Sequence, residues 1–184
     1  FSNPQDALCI ITGTVSGNLE MMDFDNGGEL FDAWYKQIPA ELVSRLAIEQ
    51  SPSGGWHVVY RCESPISGNM KLAQRKDGSK IHTLIETRGE GGLFLCAPTA
   101  GYELMQGDFS HLPVLAESER ENLLEAAWSL NEHIPEPIHH SGGSDSSILR
   151  PGDDYNVRGN MAELLKSHGW QFVNMQGDNQ RWRR

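Results

Sequence analysis

The chain has 184 residues, enough for one sizeable domain and a small appendage. Hydrophobic residues make up 38% and the mean hydropathy is −0.47, so a soluble globular protein is expected, with no membrane partner and no apolar run near the length of a membrane span. A formal net charge of −10 excludes a surface that binds nucleic acid all over and confines any such binding to a local basic groove.

Taken in chain order, Ala7 to Thr12 reads as a strand ending at Gly13. Thr14 to Asn18 is a turn, and Leu19 to Phe24 a second strand, expected to pair antiparallel with the first. Gly28 to Ile38 carries Leu30, Phe31, Trp34, Tyr35 and Ile38 at helical spacing and is closed by Pro39. A helical apolar stripe of this kind faces a core, not a stack of bases. Leu42 to Gln50 is apolar-rich and is expected to be a strand feeding the next segment. Trp56 to Arg61 alternates, with Trp56, Val58 and Tyr60 on one face and His57, Val59 and Arg61 on the other. Pro65 to Lys80 is expected to be a loop and is the most basic stretch, with Lys71, Arg75, Lys76 and Lys80.

Ile81 to Arg88 reads as a strand with His82, Leu84, Glu86 and Arg88 on one face. Gly89 to Gly92 turns the chain, and Leu93 to Ala97 is expected to return as its hairpin partner. Ser118 to His133 is the clearest helix, with Ser118 and Glu121 as a capping box. Residues 135–149 are rich in Gly, Ser and Pro and read as a linker, in which His139 and His140 belong to a solvated loop. In a last unit, residues 150–184, Asn160 is expected to cap a helix that runs to His168 and stops at Gly169, and a strand begins at Trp170 and Phe172.

Cys9, Cys62 and Cys96 are far apart and odd in number, which indicates neither a zinc knuckle nor a disulfide framework; a reducing cytoplasm fits. The chain starts at Phe1 within polar sequence and without a signal peptide, as an excised fragment or a processed chain would.

The chemistry concentrates in three stretches. Asp23 and Asp25 end an apolar strand two residues apart, so both carboxylates project to one face. Adjacent carboxylates repel, and burial raises their pKa values, so the pair is comfortable only with a cation between them. Hard oxygen ligands suit Mg²⁺ or Mn²⁺. An Asp-x-Asp before Gly27 and Gly28 is equally the composition of a plain turn. Ser51 to Gly55 is a Ser/Gly loop before a strand that carries His57; such backbone N–H groups can form an anion nest, and His57 can donate to a phosphate. Glu86 adds a third carboxylate and Arg88 a cation suited to bidentate phosphate contact. The bland counterparts are a half-buried histidine and an ordinary surface ion pair.

Together these stretches resemble the archaeo-eukaryotic primase superfamily, and within it the bifunctional DNA primase/polymerase domains of phages, plasmids and integrated elements. The resemblance is carried by Ile10 to Gly17 before the Asp23 strand, by Ser53-Gly54-Gly55-Trp56-His57, and by Glu86 to Gly92 followed by Ala97-Pro98-Thr99. Arg150 to Asn156 and the helix after it resemble the segment that follows the primase module in phage-type primase–helicase chains. It spans the chain from about Leu8 to Trp182.

What the resemblance implies is an α/β (α+β) fold, with an RRM-like antiparallel sheet and packed helices in residues 1–134, plus a small carboxy-terminal appendage. The family carries a further segment before the first strand, so 1–134 is expected to be an amino-terminally truncated core. Asp23, Asp25 and Glu86 would be the metal-binding catalytic triad for a two-metal Mg²⁺ or Mn²⁺ site. His57 would contact the incoming nucleotide's phosphates, with Ser53, Gly55 and Arg88 beside it. The partners would be nucleoside triphosphates, a single-stranded DNA template along Lys71, Arg75, Lys76 and Lys80, and a helicase domain in the same parent chain. Two other readings use the same residues: a metal-dependent nuclease or phosphoesterase that activates water, and a non-catalytic nucleotide-binding replication module.

Overall fold

A computed structural model describes residues 6–134, 160–176 and 179–184. The expected linker at 135–149, with His139 and His140, and the stretch 150–156 lie outside the described residues. The chain divides into two units, Phe1–His133 and Ile134–Arg184, against an expected core of 1–134.

The first unit is mixed α/β and is built on antiparallel pairing. Its strands are β1 (Leu8–Ile11), β2 (Leu19–Phe24), β3 (Ala47–Gln50), β4 (Trp56–Cys62), β5 (Lys71–Asp77), β6 (Lys80–Arg88), β7 (Leu93–Cys96), β8 (Glu103–Gln106) and β9 (Val114–Leu115). Its helices are α1 (Phe31–Tyr35), α2 (Ala40–Val43) and α3 (Glu117–Ser129). The main sheet runs β5-β6-β2-β4-β3-β8. The short β9 joins β4 in parallel at Arg61 and Cys62, beyond the point where β3 stops pairing.

β2 is central, and all six of its residues are buried. The reason is that both of its faces are covered. Met22 and Phe24 point to the side packed by Phe31, Trp34, Leu42, Leu123 and Ala127 of the helices. Leu19 and Met21 point to the other side, where Phe94 and Cys96 of β7 cover them with Ala47 and Val59. Trp34 is fully buried and donates Nε1–H to the Leu123 carbonyl at 3.0 Å, which satisfies its polar edge and locks α1 to α3. Glu20, also fully buried, accepts from Arg120 Nε at 2.6 Å and Nη2 at 2.8 Å and from the Tyr60 hydroxyl at 2.9 Å, tying α3 to the sheet.

Five expectations are corrected. β1 does not pair with β2, which it meets only at an isolated bridge between Gly13 and Leu19; it pairs with β7 in a separate two-stranded sheet. Correspondingly, β7 is not the hairpin partner of β6. The Gly89–Gly92 turn is bonded to Thr12, through Thr12 N–H to Gly92 O at 2.9 Å and Thr12 Oγ1 to Gly89 O at 2.5 Å, and this hands the chain to β1. The basic loop is largely an edge strand, since Leu72 and Ala73 are buried while Lys71, Lys76 and Lys80 stay exposed, as edge strands commonly are. Leu42 to Gln50 is not all strand: Pro39 precedes the short α2, as its fixed φ permits, before β3 begins. Finally, α3 starts at Glu117 with Ala116 before it, and Glu119, not Glu121, accepts the Ala116 N–H at 3.0 Å.

The second unit holds α4 (Met161–Ser167), capped by Asn160 Oδ1 accepting from Glu163 N–H at 3.2 Å, and an antiparallel hairpin of β10 (Gln171–Gln176) and β11 (Asn179–Arg183). Phe172 and Trp182 meet edge to face across that hairpin, 5.6 Å apart.

Candidate metal centre

The sheet register assembles the site. Asp23 on β2 lies opposite His57 on β4 and opposite Glu86 on β6. His57 in turn faces Glu49 on β3, and Glu86 faces Lys71 on β5. Lys71, Glu86, Asp23, His57 and Glu49 thus form one row across five strands, and residues paired in register share a face. On this face Phe94 of β7 packs with Met21 and meets the His57 ring edge-on, so Asp23 and Glu86 lie at the margin of that cover.

Asp25 joins the row from just beyond β2. Its backbone is still extended (φ −78°, ψ −176°), and its N–H donates to the Leu84 carbonyl at 3.0 Å, so the alternation of β2 carries on for one more residue. Asn26 then takes a positive φ of 55° and ends the strand. As a result, ligand atoms of Asp23, Asp25 and Glu86 all lie within 4.8 Å of one another. Three hard oxygen donors converging in this way could hold a metal ion. The electrostatics agree: burial first, then the Asp25 carboxylate, pushes Asp23 up to about 6, and His57 and Arg88 only partly oppose this.

Two cationic or potentially cationic side chains border the acids. Arg88 Nη2 lies 2.5 Å from Glu86 Oε1 and 3.6 Å from Asp23 Oδ2. His57 places Nε2 3.7 Å from Asp23 Oδ1 and is 6% exposed. Ser53 and Gly55 sit in the turn that leads into β4, where Ser51 N–H donates to Gly55 O at 2.9 Å and the Ser51 and Ser53 hydroxyls lie 3.1 Å apart. Gly55 is required by close approach, since a Cβ there would stand 2.6 Å from the Phe24 carbonyl oxygen. The turn is therefore seated against the end of β2, next to Asp25. Trp56 stacks on Phe31 at 4.5 Å and fixes the start of β4 against α1.

The four basic candidates do not form one cluster. Lys71 sits in the row with Glu86. Lys80 is six residues from Glu86 along β6, about 20 Å at the usual rise per residue. Lys76 lies near that far end, opposite Ile81. Arg75 is held between two carboxylates, with Nη1 2.9 Å from Glu29 Oε1 and Nη2 2.5 Å from Glu132 Oε1. Arg75 and Lys76 line an open cleft with Asn26, His82 and Leu84, which begins one residue from Asp25.

Glu49, within the row, and Tyr102, beside it, escaped the sequence reading. Glu49 is fully buried, with Oε1 2.7 Å from His57 Nδ1, and Oε2 accepts the Ala97 N–H at 2.9 Å. Tyr102 brings its ring within 5.8 Å of His57, and burial together with the Glu49 and Asp23 charges raises its phenol above the usual value. A charged residue inside the apolar run of β3 was the available signal for Glu49. Nothing local marked Tyr102.

No family model matches this chain, and no curated protein matches it. Fold and site by themselves define a mixed α/β domain whose central sheet carries an acidic triad able to hold a metal ion. Among the described residues, no helix is long and apolar enough to cross a membrane.

Proposed function

We propose that this chain is the catalytic part of a DNA primase/polymerase, performing template-directed nucleotidyl transfer in the replication of phage, plasmid or integrated-element DNA. The observation that carries the reading is the convergence of Asp23, Asp25 and Glu86 within 4.8 Å, with His57 and Arg88 at their border. The helix-backed antiparallel sheet with β2 at its centre supports an RRM-like primase core.

The donor set fits Mg²⁺ or Mn²⁺, because all three side chains offer carboxylate oxygens and Asp23 is strained toward protonation without a cation. Bound there, such ions would lower the pKa of the attacking 3′-hydroxyl and neutralise charge on the triphosphate. His57 Nε2 and the Arg88 guanidinium bind and orient phosphate oxygens, and the seated Ser51–Gly55 turn adds hydroxyl and backbone donors. In-line phosphoryl transfer needs positioning and charge neutralisation above all, so no protein nucleophile is required. Nucleoside triphosphates and a single-stranded DNA template are the partners, with a helicase domain in the parent chain as the functional neighbour.

Template-directed incorporation of labelled nucleotides, with Mg²⁺ and separately with Mn²⁺, tests this. Products that depend on template and vanish in Asp23→Ala/Asp25→Ala support it, and omission of primer separates priming from extension. Degradation of the substrates without template assigns the acids to a nuclease instead. Nucleotide binding with no synthesis assigns a non-catalytic module.

A further inference from the structure

We propose that Glu49 is the positioning residue for His57: it fixes which ring nitrogen faces the acidic triad and ties the opposite wall of the site to the same point. The inference rests on the reading of His57 as a phosphate-binding group.

A fully buried carboxylate is costly unless its oxygens are satisfied. Both oxygens of Glu49 are satisfied, and both partners border the site. Oε1 takes the Nδ1 edge of His57 at 2.7 Å, and Oε2 takes the backbone N–H of Ala97 at 2.9 Å. With Nδ1 committed, Nε2 is the nitrogen left to face the row, where it stands 3.7 Å from Asp23 Oδ1. The ring cannot turn freely about this axis, since Phe94 meets it edge-on at 5.7 Å and Tyr102 lies at 5.8 Å. A carboxylate behind a functional imidazole fixes its orientation and accepts its Nδ1–H, in the manner of outer-shell partners at metal and triad sites; Nε2 then donates to a phosphate oxygen when it carries its own proton as well, in the imidazolium form.

The Ala97 bond adds a second constraint. Ala97 opens the loop that ends at Tyr102, so one carboxylate positions both the imidazole and the start of the segment carrying the phenol beside it. Glu49→Gln puts an NH2 donor where one of the two oxygens stands, so in this geometry it can accept from only one of the two groups.

The test uses the full chain and two readouts. Nitrogen-15 spectra of the His57 ring should show Nδ1 carrying a proton in the wild type, with that signal moved in Glu49→Gln; an unprotonated Nδ1 in the wild type overturns the proposal. Binding of a labelled nucleoside triphosphate in Mg²⁺ is then measured for Glu49→Gln, His57→Ala and the pair. Glu49→Gln should weaken binding about tenfold, the lower end of what loss of an outer-shell partner costs. It should add nothing once His57 is gone. A full additional loss in the His57→Ala background, or no effect of Glu49→Gln, overturns the proposal. If the wild type binds no nucleotide, the reading of the site as a polymerase fails, and the ring spectra alone decide on Glu49.

Discussion

Arg88 Nη2 lies 2.5 Å from Glu86 Oε1, so a guanidinium already rests on one of the three carboxylates that could hold a metal. A metal ion bound at Glu86 competes with this pair. Arg88→Met should therefore tighten Mn²⁺ binding several-fold while weakening triphosphate binding, because one cation is removed from the acids and one phosphate contact is lost. Manganese titration by electron spin resonance checks the first effect. Unchanged or weaker Mn²⁺ affinity would show that the pair does not oppose the metal.

The Asp23 carboxyl, raised from 3.8 to about 6, makes a pH prediction for the metal-free protein. Its folded-state pKa lies above the unfolded value, so its contribution favours the fold at low pH and is lost as pH rises from about 4 through about 6. The loss is on the order of 3 kcal/mol at about 1.4 kcal/mol per unit. Denaturant midpoints of wild type minus Asp23→Asn, followed across that window in chelator, should show it. Adding Mn²⁺ at pH 7 should raise the wild-type melting temperature and leave Asp23→Asn nearly unmoved.

The Glu20–Arg120 pair, with two short bonds onto a carboxylate of zero exposure, should dominate stability away from the site. Arg120→Ala leaves Glu20 buried and short of its charge partner, at a cost of about 3–5 kcal/mol. Urea unfolding measures this. A cost under about 1 kcal/mol would mean that the pair behaves like a surface bridge.

Gly55→Ala sets a Cβ against the Phe24 carbonyl oxygen at 2.6 Å. The Ser51–Gly55 turn must then lift from the end of β2, costing about 1–3 kcal/mol as other overpacked positions do. Nucleotide affinity should fall with it, whereas Gly78→Ala, strained locally by its φ of +57° but with open space at its Cβ, should leave nucleotide affinity intact. Equal effects of the two substitutions on that affinity would argue against a seated turn.

Among the basic candidates, Lys71 shares the row with Glu86, whereas Arg75 is engaged by Glu29 and Glu132. Lys71→Ala should therefore lower the salt slope of single-stranded DNA binding by about 0.7, and Arg75→Ala should change it less. The reverse order would place the strand along the far hairpin instead.

Much of the site was legible because strand alternation is local. Asp23 and Asp25 on one face, Met22 and Phe24 on the other, and His57 apart from Val58 all follow from a period of two. What alternation cannot give is the neighbour of each strand. β1 and β7 pair across some eighty residues, a pairing flanked by the Thr12 bonds to the glycine turn and unmarked in either strand's composition. Glu49 was missed for a related reason: its partner His57 is reached only once the β3–β4 register is known. The short helix α2 was read as strand because a single turn after one proline carries little periodic signal, whereas α1 falls within the stretch whose spacing is helical.

The row of five residues also governs which changes of chain length this domain can absorb. Inserting one residue within β4 ahead of His57 would send that imidazole to the side of Phe31 and Trp34 and bring an apolar neighbour up to Asp23. The same insertion between Glu63 and Asn69 would pass between two strands and leave every position in the row where it was. Tolerance to insertion along this sequence is thus a matter of odd and even, and the strands that face Asp23 are where a single extra residue is most damaging.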